Sequence, residues 1–248
     1  MTRKVVKICG LQTTEAAQQA IASGADLLGV ILVPNRARTI EHLTAKQLSA
    51  LCKEQRQKHQ REFISSKDLL AHLRSKMTEY SGSEWFEYAV DQISANGPFL
   101  VGVFRNQPLS EVQKLSDALD LDFIQLHGSE NFPEYIEALD KPVIPRYVLQ
   151  QTNISEALET GRHIIPLLDS EFGGEGKVIS WSDASQFGNS NGLNGRYLLA
   201  GGLNPDNVKE ALGVDGCIGV DVSGGTETEG VKDLNKIKLF VSNAKTMV

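Results

Sequence analysis

The chain has 248 residues, of which 41% are hydrophobic and 23% charged, so it can bury a sizeable core as one large domain or two small ones. A net charge of −6 argues against nucleic acid or an anionic membrane as a partner, because either would need a basic surface. Three widely spaced cysteines, Cys9, Cys52 and Cys217, argue against a disulfide framework and for a reducing compartment. The sequence shows neither a secretory signal nor an apolar run long enough to span a bilayer, and no Cys or His pair has zinc-site spacing. We therefore expect a soluble cytoplasmic protein without a metal ion.

Eight short apolar runs, rich in β-branched residues, follow one another along the chain and alternate with segments of helical spacing. Most runs are continuous rather than alternating in polarity, which indicates strands buried on both faces of a parallel sheet. Eight strand–helix units predict an α/β protein with a single (βα)8 TIM barrel over residues 1–248, and an open doubly wound sheet is the alternative. Thr13 and Asn204 are predicted N-caps. The predicted strands are 5–8, 27–33, 99–104, 123–126, 143–145, 164–168, 197–200 and 218–220, and the clearest barrel helices are 13–21, 110–119, 204–212 and 233–240.

One long interval interrupts this alternation between the second and third predicted strands. Residues 53–97 exceed what one helix needs, so we interpret them as a helical insertion on the outer side of the barrel. Within it, 53–61 are charged and lack an apolar face, which is typical of a solvated helix extension or a mobile loop. The spacing of 69–77 and 85–93 predicts two short amphipathic helices, whose role is either local packing or partner binding. A second excess, 186–195, is rich in Gly and Asn and is predicted to be a polar loop.

The stretch 196–230 repeats one pattern twice: an apolar run ends, and glycines with small polar residues follow. Glycines directly after a strand let a ligand approach bare backbone N–H groups, and a helix N-terminus beyond them would favour an anion. Two such ends side by side predict a phosphate cradle that needs no Lys or Arg, whereas either one alone is equally typical of an ordinary turn. The predicted phosphate-binding residues are Gly201, Gly202, Ser223, Gly224 and Gly225.

The first two strands are followed by residues that could bind or react. Lys7 and Cys9 share one face of the first strand, and a Cys9 thiolate could act as a base or nucleophile if its pKa were lowered. A buried, inert thiol is the alternative. Arg36 and Arg38 follow the second strand and could hold a carboxylate, unless they are simply surface charges.

Three later strands also end in polar side chains. Gln125 and His127 share a face of the fourth strand, where His127 could be an acid–base group, a hydrogen-bond donor or a structural residue. Asp169 follows the apolar run IIPLL, where burial could raise its pKa enough for a general acid, and the glycines after it suggest a flexible loop over 170–177. Asp221 could accept hydrogen bonds from substrate hydroxyls or cap a loop. Together with the cradle, these residues predict a phosphate-binding barrel enzyme that moves protons, as an isomerase does.

Seven motifs in order give the chain a resemblance to a known family. They are KICGLQ (7–12), VPNRARTI (33–40), VGVFRN (101–106), QLHG (125–128), LLDSEFGGEGK (167–177), AGGLNP (200–205) and GVDVSGGTETEGVKD (219–233). Together they resemble phosphoribosylanthranilate isomerase, and most closely the monofunctional enzymes of yeasts. The resemblance covers nearly the whole chain apart from the insertion.

The resemblance implies an Amadori rearrangement in tryptophan biosynthesis, in which N-(5′-phosphoribosyl)anthranilate becomes 1-(2-carboxyphenylamino)-1-deoxyribulose 5-phosphate. It implies that Cys9 is the general base and Asp169 the general acid. Arg38, which matches the family position better than Arg36, would bind the anthranilate carboxylate, although Thr39 stands where an aromatic residue is usual. Asp221 would lie near the ribose hydroxyls and the glycine pairs would hold the phosphate, with Lys7, Gln125 and His127 as further substrate contacts.

No cofactor is expected, because the substrate nitrogen serves as the electron sink. The implied partner is a phosphorylated small molecule bound by a monomer. Two alternatives are less consistent with the residues present. Indoleglycerol-phosphate synthase, a neighbouring phosphate-binding barrel, relies on Lys and Glu at its strand ends, and a non-catalytic binding barrel would need neither Cys9 nor Asp169.

Overall fold

The computed structural model describes residues 3–170, 180–189 and 195–246. In these ranges eight parallel strands close into a barrel, in which consecutive strands pair and the first also pairs with the last. The predicted (βα)8 TIM barrel is thus confirmed and the open sheet is excluded. The strands are β1 (Val5–Ile8), β2 (Leu27–Ile31), β3 (Phe99–Phe104), β4 (Phe123–Leu126), β5 (Val143–Tyr147), β6 (Leu167–Leu168), β7 (Tyr197–Leu199) and β8 (Cys217–Val222).

Helices follow the strands along the described chain. After β8, a 3-10 helix (Gly224–Thr226) leads into a small antiparallel hairpin of β9 (Glu227–Thr228) and β10 (Val231–Lys232), and a second 3-10 helix (Ile154–Leu158) follows β5. None of the described helices is both long and apolar enough to cross a bilayer. The α-helices are α1 (Thr14–Ser23), α2 (His42–Lys58), α3 (Ser66–Lys76), α4 (Ser83–Asn96), α5 (Leu109–Ala118), α6 (Phe132–Ala138), α7 (Trp181–Gly188), α8 (Val208–Leu212) and α9 (Leu234–Lys245).

Side chains along each strand point alternately into the barrel and outward to the helices. Val5, Leu27 and Phe99 pack in the interior, while Val6 and Leu28 pack in the layer between strands and helices. All five are fully buried. Burial on both faces explains why the strand runs in the sequence are continuously apolar.

Capping side chains account for where two of the helices begin. Thr13 caps α1 as predicted, because its Oγ1 accepts a hydrogen bond from the backbone N–H of Ala16 at 3.2 Å. The prediction for Asn204 is wrong, because α8 begins four residues later, at Val208. Asn204 Oδ1 instead accepts the backbone N–H of Asn207 at 3.2 Å in the turn before the helix, a role that Asn side chains fill as readily as a helix cap.

The segment 53–61 contains a buried residue that the sequence pattern does not reveal. Of the two predicted alternatives, a solvated helix extension and a mobile loop, the helix extension agrees with α2, which continues to Lys58, but its Arg56 is only 2% exposed. The Arg56 guanidinium contacts both carboxylate oxygens of Asp122 at 2.8 Å and lies 4.7 Å from the ring centre of Phe99. A charged side chain is therefore buried here, because a carboxylate and an aromatic face replace its water.

Helices α3 and α4 overlap the predicted segments 69–77 and 85–93, but their location differs from the predicted outer side. Leu73, Trp85 and Phe86 belong to the same apolar cluster as the inward-facing strand residues. Trp85 Nε1 donates to the carbonyl of His163, which precedes β6, and Glu87 pairs with Arg196, which precedes β7. Because these contacts are with strand starts, α3 and α4 cover the N-terminal end of the barrel.

Several elements are longer or shorter than their sequence patterns indicate. Helix α6 was not predicted, and α7 extends into the first residues of the predicted loop 186–195, of which 190–194 lie outside the described residues. Strand β6 has two residues rather than the predicted 164–168. Of the predicted loop 170–177, only Ser170 is described.

Candidate active site

A cavity of about 360 Å³ opens at the carboxyl ends of the barrel strands. This is the end at which enzymes of this architecture bind their substrates. Among the predicted site residues, Lys7 lies beneath the lining. The others line the cavity: Cys9, Arg38, Gln125, His127, Asp169, Gly201, Gly202, Asp221, Ser223, Gly224 and Gly225.

Cys9 and Lys7 are held on the inward face of β1. Lys7 is fully buried, and its Nζ donates to Asp221 Oδ1 at 2.8 Å; in the β1–β8 ladder these two residues are directly paired. A Cβ atom at Gly29 would lie 2.7 Å from Cys9 Sγ and 3.0 Å from Lys7 Nζ, so the missing side chain on β2 makes room for both groups. Gly29 was not singled out in the sequence, because only the packed structure shows what its missing side chain accommodates.

Burial and the oppositely charged neighbours have opposite effects on the pKa values of Cys9 and Lys7. Burial raises the pKa of the Cys9 thiol, the Lys7 cation partly counteracts the rise, and the Asp221 carboxylate adds to it. Burial would lower the pKa of Lys7, but Asp221 and Cys9 raise it above its ordinary value, so Lys7 remains a cation. The thiol thus needs its cationic neighbour to reach the thiolate form that a base requires.

Asp169 stands at the end of β6 with its carboxyl group held on both oxygens. Arg146 Nε donates to Oδ2 at 3.0 Å, and the backbone N–H of Ser170 donates to Oδ1 at 2.8 Å. The side chain is 3% exposed, and this burial raises the pKa of Asp169 although Arg146 opposes the rise. A carboxyl group with a raised pKa can carry the proton that a general acid donates.

His127 and Gln125 form a polar pair at the end of β4. Gln125 Nε2 lies 3.2 Å from His127 Nδ1, and His127 Nε2 lies 3.7 Å from Asp169 Oδ2. Burial, with the cations Arg146, Lys7 and Arg105, lowers the pKa of His127 to about 3. His127 is therefore neutral near pH 7, which favours the donor role over the acid–base role among its predicted alternatives.

Arg38 projects from the loop after β2 and meets the hairpin that follows β8. Its Nε and Nη2 donate to the two carboxylate oxygens of Glu227 at 2.7 and 2.9 Å, and Lys232 contacts the same carboxylate at 3.0 Å. The two cations keep the pKa of Glu227 low although its burial opposes this. Within the described residues Arg38 Nη1 donates no hydrogen bond, so a second carboxylate could bind there. Arg36 also lines the cavity but is more exposed.

The glycines after β7 and β8 meet at the cavity wall. Gly201 and Gly202 have φ of 90° and 66°, which favours glycine. A Cβ atom at Gly225 would lie 1.8 Å from the carbonyl oxygen of Leu203, so the two segments touch through backbone alone. In the described chain the N–H groups of Gly201, Gly202, Gly224 and Gly225 donate no hydrogen bond. Four such donors can surround an oxyanion.

The structure of the cradle differs from the prediction in the helix that follows β8, and within the described residues it reveals an unpaired hydroxyl at Ser223. The second glycine pair lies in a single turn of 3-10 helix, Gly224–Thr226, so the expected α-helix dipole is not there. The hydroxyl of Ser223 is buried and has no hydrogen-bond partner among the described residues, which is consistent with a ligand as its partner.

Some residues of the site were not predicted from the sequence. Arg105, Arg146 and Lys232 bring positive charge to the cavity or its walls, and Glu227 orients Arg38. Arg105 follows β3 and Arg146 follows the predicted strand 143–145, so both carry the same strand-end signal as the predicted residues, whereas Lys232 and Glu227 are recognisable only from their contacts. No three His, Cys, Asp or Glu side chains in the described ranges are arranged to hold a metal ion.

Comparison with known proteins gives consistent similarities. The family model described as N-(5′phosphoribosyl)anthranilate (PRA) isomerase matches residues 49–243. The chain is 49% identical to N-(5′-phosphoribosyl)anthranilate isomerase of Wickerhamomyces anomalus over 97% of its own length and 99% of that protein, and 47% identical to that of Komagataella pastoris over the same shares. A crystal structure of phosphoribosyl anthranilate isomerase with reduced 1-(o-carboxyphenylamino)-1-deoxyribulose 5-phosphate is similar with a TM-score of 0.66 and 25% identity, over 99% of this chain and 100% of that one.

Proposed function

The chain belongs to the phosphoribosylanthranilate isomerase family, and on this premise we propose how its side chains carry out the reaction. It catalyses the Amadori rearrangement of N-(5′-phosphoribosyl)anthranilate to 1-(2-carboxyphenylamino)-1-deoxyribulose 5-phosphate in tryptophan biosynthesis. The observation that carries the proposal is that Cys9 and Asp169, which follow β1 and β6, line one cavity together with the glycine cradle and Arg38.

Substrate binding uses two sets of hydrogen-bond donors that line the cavity. The N–H groups of Gly201, Gly202, Gly224 and Gly225 bind the phosphate, and Arg38 binds the anthranilate carboxylate through the edge that Glu227 leaves open. Anchoring the substrate through both its phosphate and its carboxylate fixes the position of the ribose carbons, which converts binding energy into orientation at the reacting atoms.

Ring opening is the first chemical step. The O–H bond of the Asp169 carboxylic acid breaks and its proton goes to the ribose ring oxygen. As the bond from C1′ to that oxygen breaks, the nitrogen lone pair forms the C1′=N bond of a protonated Schiff base. Asp169 is left as a carboxylate beside Arg146.

Proton removal from C2′ is the second step. The Cys9 thiolate takes the proton, and the electrons of the C–H bond form a C1′=C2′ bond while the nitrogen becomes neutral. The resulting enolamine tautomerises to the ketone. Lys7 supports the thiolate, and neutral His127 and Gln125 offer polar contacts to the sugar, as does Asp221.

Turnover of freshly made phosphoribosylanthranilate, followed by loss of its anthranilate fluorescence, tests these roles. We expect Cys9→Ala and Asp169→Asn each to lower kcat by about a hundredfold to ten-thousandfold, while both variants still bind the reduced product. Cys52→Ala is the matched control, because Cys52 is a fully buried free thiol in α2, and it should keep wild-type kcat. A Cys9→Ala or Asp169→Asn enzyme with wild-type kcat would refute the assigned acid–base pair.

A monomeric, cytoplasmic protein is also part of the proposal. The exposed large apolar side chains among the described residues are spread over several elements, with Leu43 on α2, Val231 on β10 and Leu234 and Leu239 on α9, and this supports a monomer. Three buried free cysteines fit a reducing compartment. Sedimentation velocity should give the mass of one chain, and cell fractionation should recover the protein with the cytosol.

A further inference from the structure

A buried arginine on β5 faces the proposed general acid. Arg146 is 8% exposed and lies on the inward side of its strand, two residues after Ile144, which packs in the barrel interior. Cations of this size are buried only where specific partners replace their water. The hydrogen-bond partners of Arg146 therefore indicate its role.

The guanidinium of Arg146 bridges two neighbouring residues at the end of β6. Its Nε donates to Asp169 Oδ2 at 3.0 Å and its Nη2 donates to the backbone carbonyl of Ser170 at 2.7 Å. In the described chain this is the one side-chain hydrogen bond that Asp169 receives. The planar guanidinium group thus fixes the orientation of the Asp169 carboxyl group relative to the Ser170 backbone.

We propose that Arg146 is a positioning residue, which fixes the Asp169 carboxyl group at the cavity wall and stabilises the carboxylate formed when Asp169 protonates the ribose ring oxygen. The inference rests on the proposed function, because it assumes that Asp169 is the general acid. It assigns a role in this reaction to a residue that does not line the cavity.

The reaction itself creates the need for such a residue. Donation of the proton leaves a negative charge on a carboxyl group that is 3% exposed, and a buried anion without a partner is costly. Arg146 is already in hydrogen-bond contact before the charge forms, so no reorganisation is needed at the moment of transfer.

The groups that face Asp169 from the other strands do not substitute for Arg146. His127 from β4 lies 3.7 Å away but is neutral, because its pKa is lowered to about 3. Asp221 from β8 is itself anionic and raises the pKa of Asp169. Removal of Arg146 therefore leaves the new carboxylate without its counter-charge and lets the pKa of Asp169 rise further.

The test compares Arg146→Met and Arg146→Lys with wild type for kcat, KM, the pH profile of kcat/KM and affinity for the reduced product. We expect Arg146→Met to lose about a hundredfold in kcat, with much smaller changes in KM and product affinity. Because Asp169 has a lower pKa than Cys9, the acidic limb of the pH profile reports the pKa of Asp169. This pKa should move upward in Arg146→Met. A larger protonated fraction of Asp169 alone would raise the rate, so the fall in kcat reports lost positioning and charge stabilisation.

Arg146→Lys keeps the charge but cannot span both acceptors. It should lose at least about tenfold in kcat while the lower pKa stays near the wild-type value. Arg56→Met is the matched control, because Arg56 is another buried arginine that contacts an aspartate, at the opposite end of the barrel. It should lose stability but keep wild-type kcat per folded molecule.

Wild-type kcat in folded Arg146→Met, or in Arg146→Lys if the first variant does not fold, would overturn the inference. Loss of stability alone, as in Arg56→Met, would also overturn it. Asp169→Asn separates this failure from a failure of the proposed function: if that variant keeps wild-type kcat, the acid assignment itself is wrong. If Asp169→Asn is inactive but Arg146→Met is not, the inference about Arg146 alone is wrong.

Discussion

The proposed base is a thiol whose surroundings both hinder and help it. Cys9 is 5% exposed, and burial raises its pKa, while the Lys7 ammonium stabilises the thiolate. Lys7 is in turn held by Asp221 at 2.8 Å. The three groups therefore form one contiguous cluster, and we propose that Lys7, which is fully buried, supports the base, whereas the family resemblance implied a direct substrate contact.

This arrangement predicts the pH behaviour of Lys7→Met. Loss of the cation raises the pKa of Cys9, so the thiolate forms at higher pH and less of it is present at neutral pH. We expect the upper pKa of the kcat/KM profile to rise and kcat at pH 7 to fall, as measured by steady-state kinetics across pH. An unchanged upper pKa in a folded variant would show that Lys7 does not tune the thiol.

Position at the end of a predicted strand identified many residues of the site, but it did not identify the residues that hold them in place. Cys9, Asp169 and Asp221 follow or end apolar runs, and that position alone brings them to one end of a barrel. Arg146 directly follows the predicted strand 143–145, although β5 extends to Tyr147, and Glu227 lies beyond a glycine turn; the sequence does not show what either residue contacts. Their roles come from partners that are distant in sequence, such as Arg38 for Glu227, 189 residues away.

At the scale of elements, α2 is tied to the barrel by one buried ion pair. Asp122 accepts Arg56 on both oxygens and also accepts the backbone N–H of Leu100 at 2.9 Å. Burial raises the pKa of Asp122, and Arg56 opposes the rise. The pair therefore joins α2 to the starts of β3 and β4, at the end of the barrel opposite to the cavity.

Arg56→Met tests this link. Removal of one partner leaves a buried carboxylate uncompensated, so we expect a loss of about 3–5 kcal/mol in the free energy of unfolding. Urea denaturation measures the loss, and kcat per folded molecule should not change. Arg56→Met/Asp122→Leu removes both charges and should recover much of the loss; a double variant no more stable than the single one would contradict this account.

Helices were predicted correctly where the local pattern of polar and apolar residues agrees with their burial in the folded protein. Thr13 and the apolar spacing after it specify α1 by themselves. The burial within residues 53–61 was not predicted, because Arg56 is a charged residue whose partner, Asp122, lies 66 positions later in the sequence. The placement of α3 and α4 depends on which open surface they cover, and an amphipathic pattern carries no information about that choice.

On the scale of the whole molecule, the two ends of the barrel have different tasks. The carboxyl ends of the strands hold the proposed acid, base and phosphate cradle, while the strand starts are closed by α3 and α4 and braced by the Arg56–Asp122 pair. Eight strands are enough to separate Cys9 from Asp169 across the cavity, so a sugar phosphate can lie between them.

The most direct test of this account is a crystal structure of the protein with reduced 1-(o-carboxyphenylamino)-1-deoxyribulose 5-phosphate. We predict the phosphate on the N–H groups of Gly202 and Gly225, the carboxylate on Arg38 and C2′ about 3–3.5 Å from Cys9 Sγ. The oxygen derived from the ring should face Asp169. A ligand bound with its phosphate away from the glycines, or with C2′ turned away from Cys9, would contradict the account.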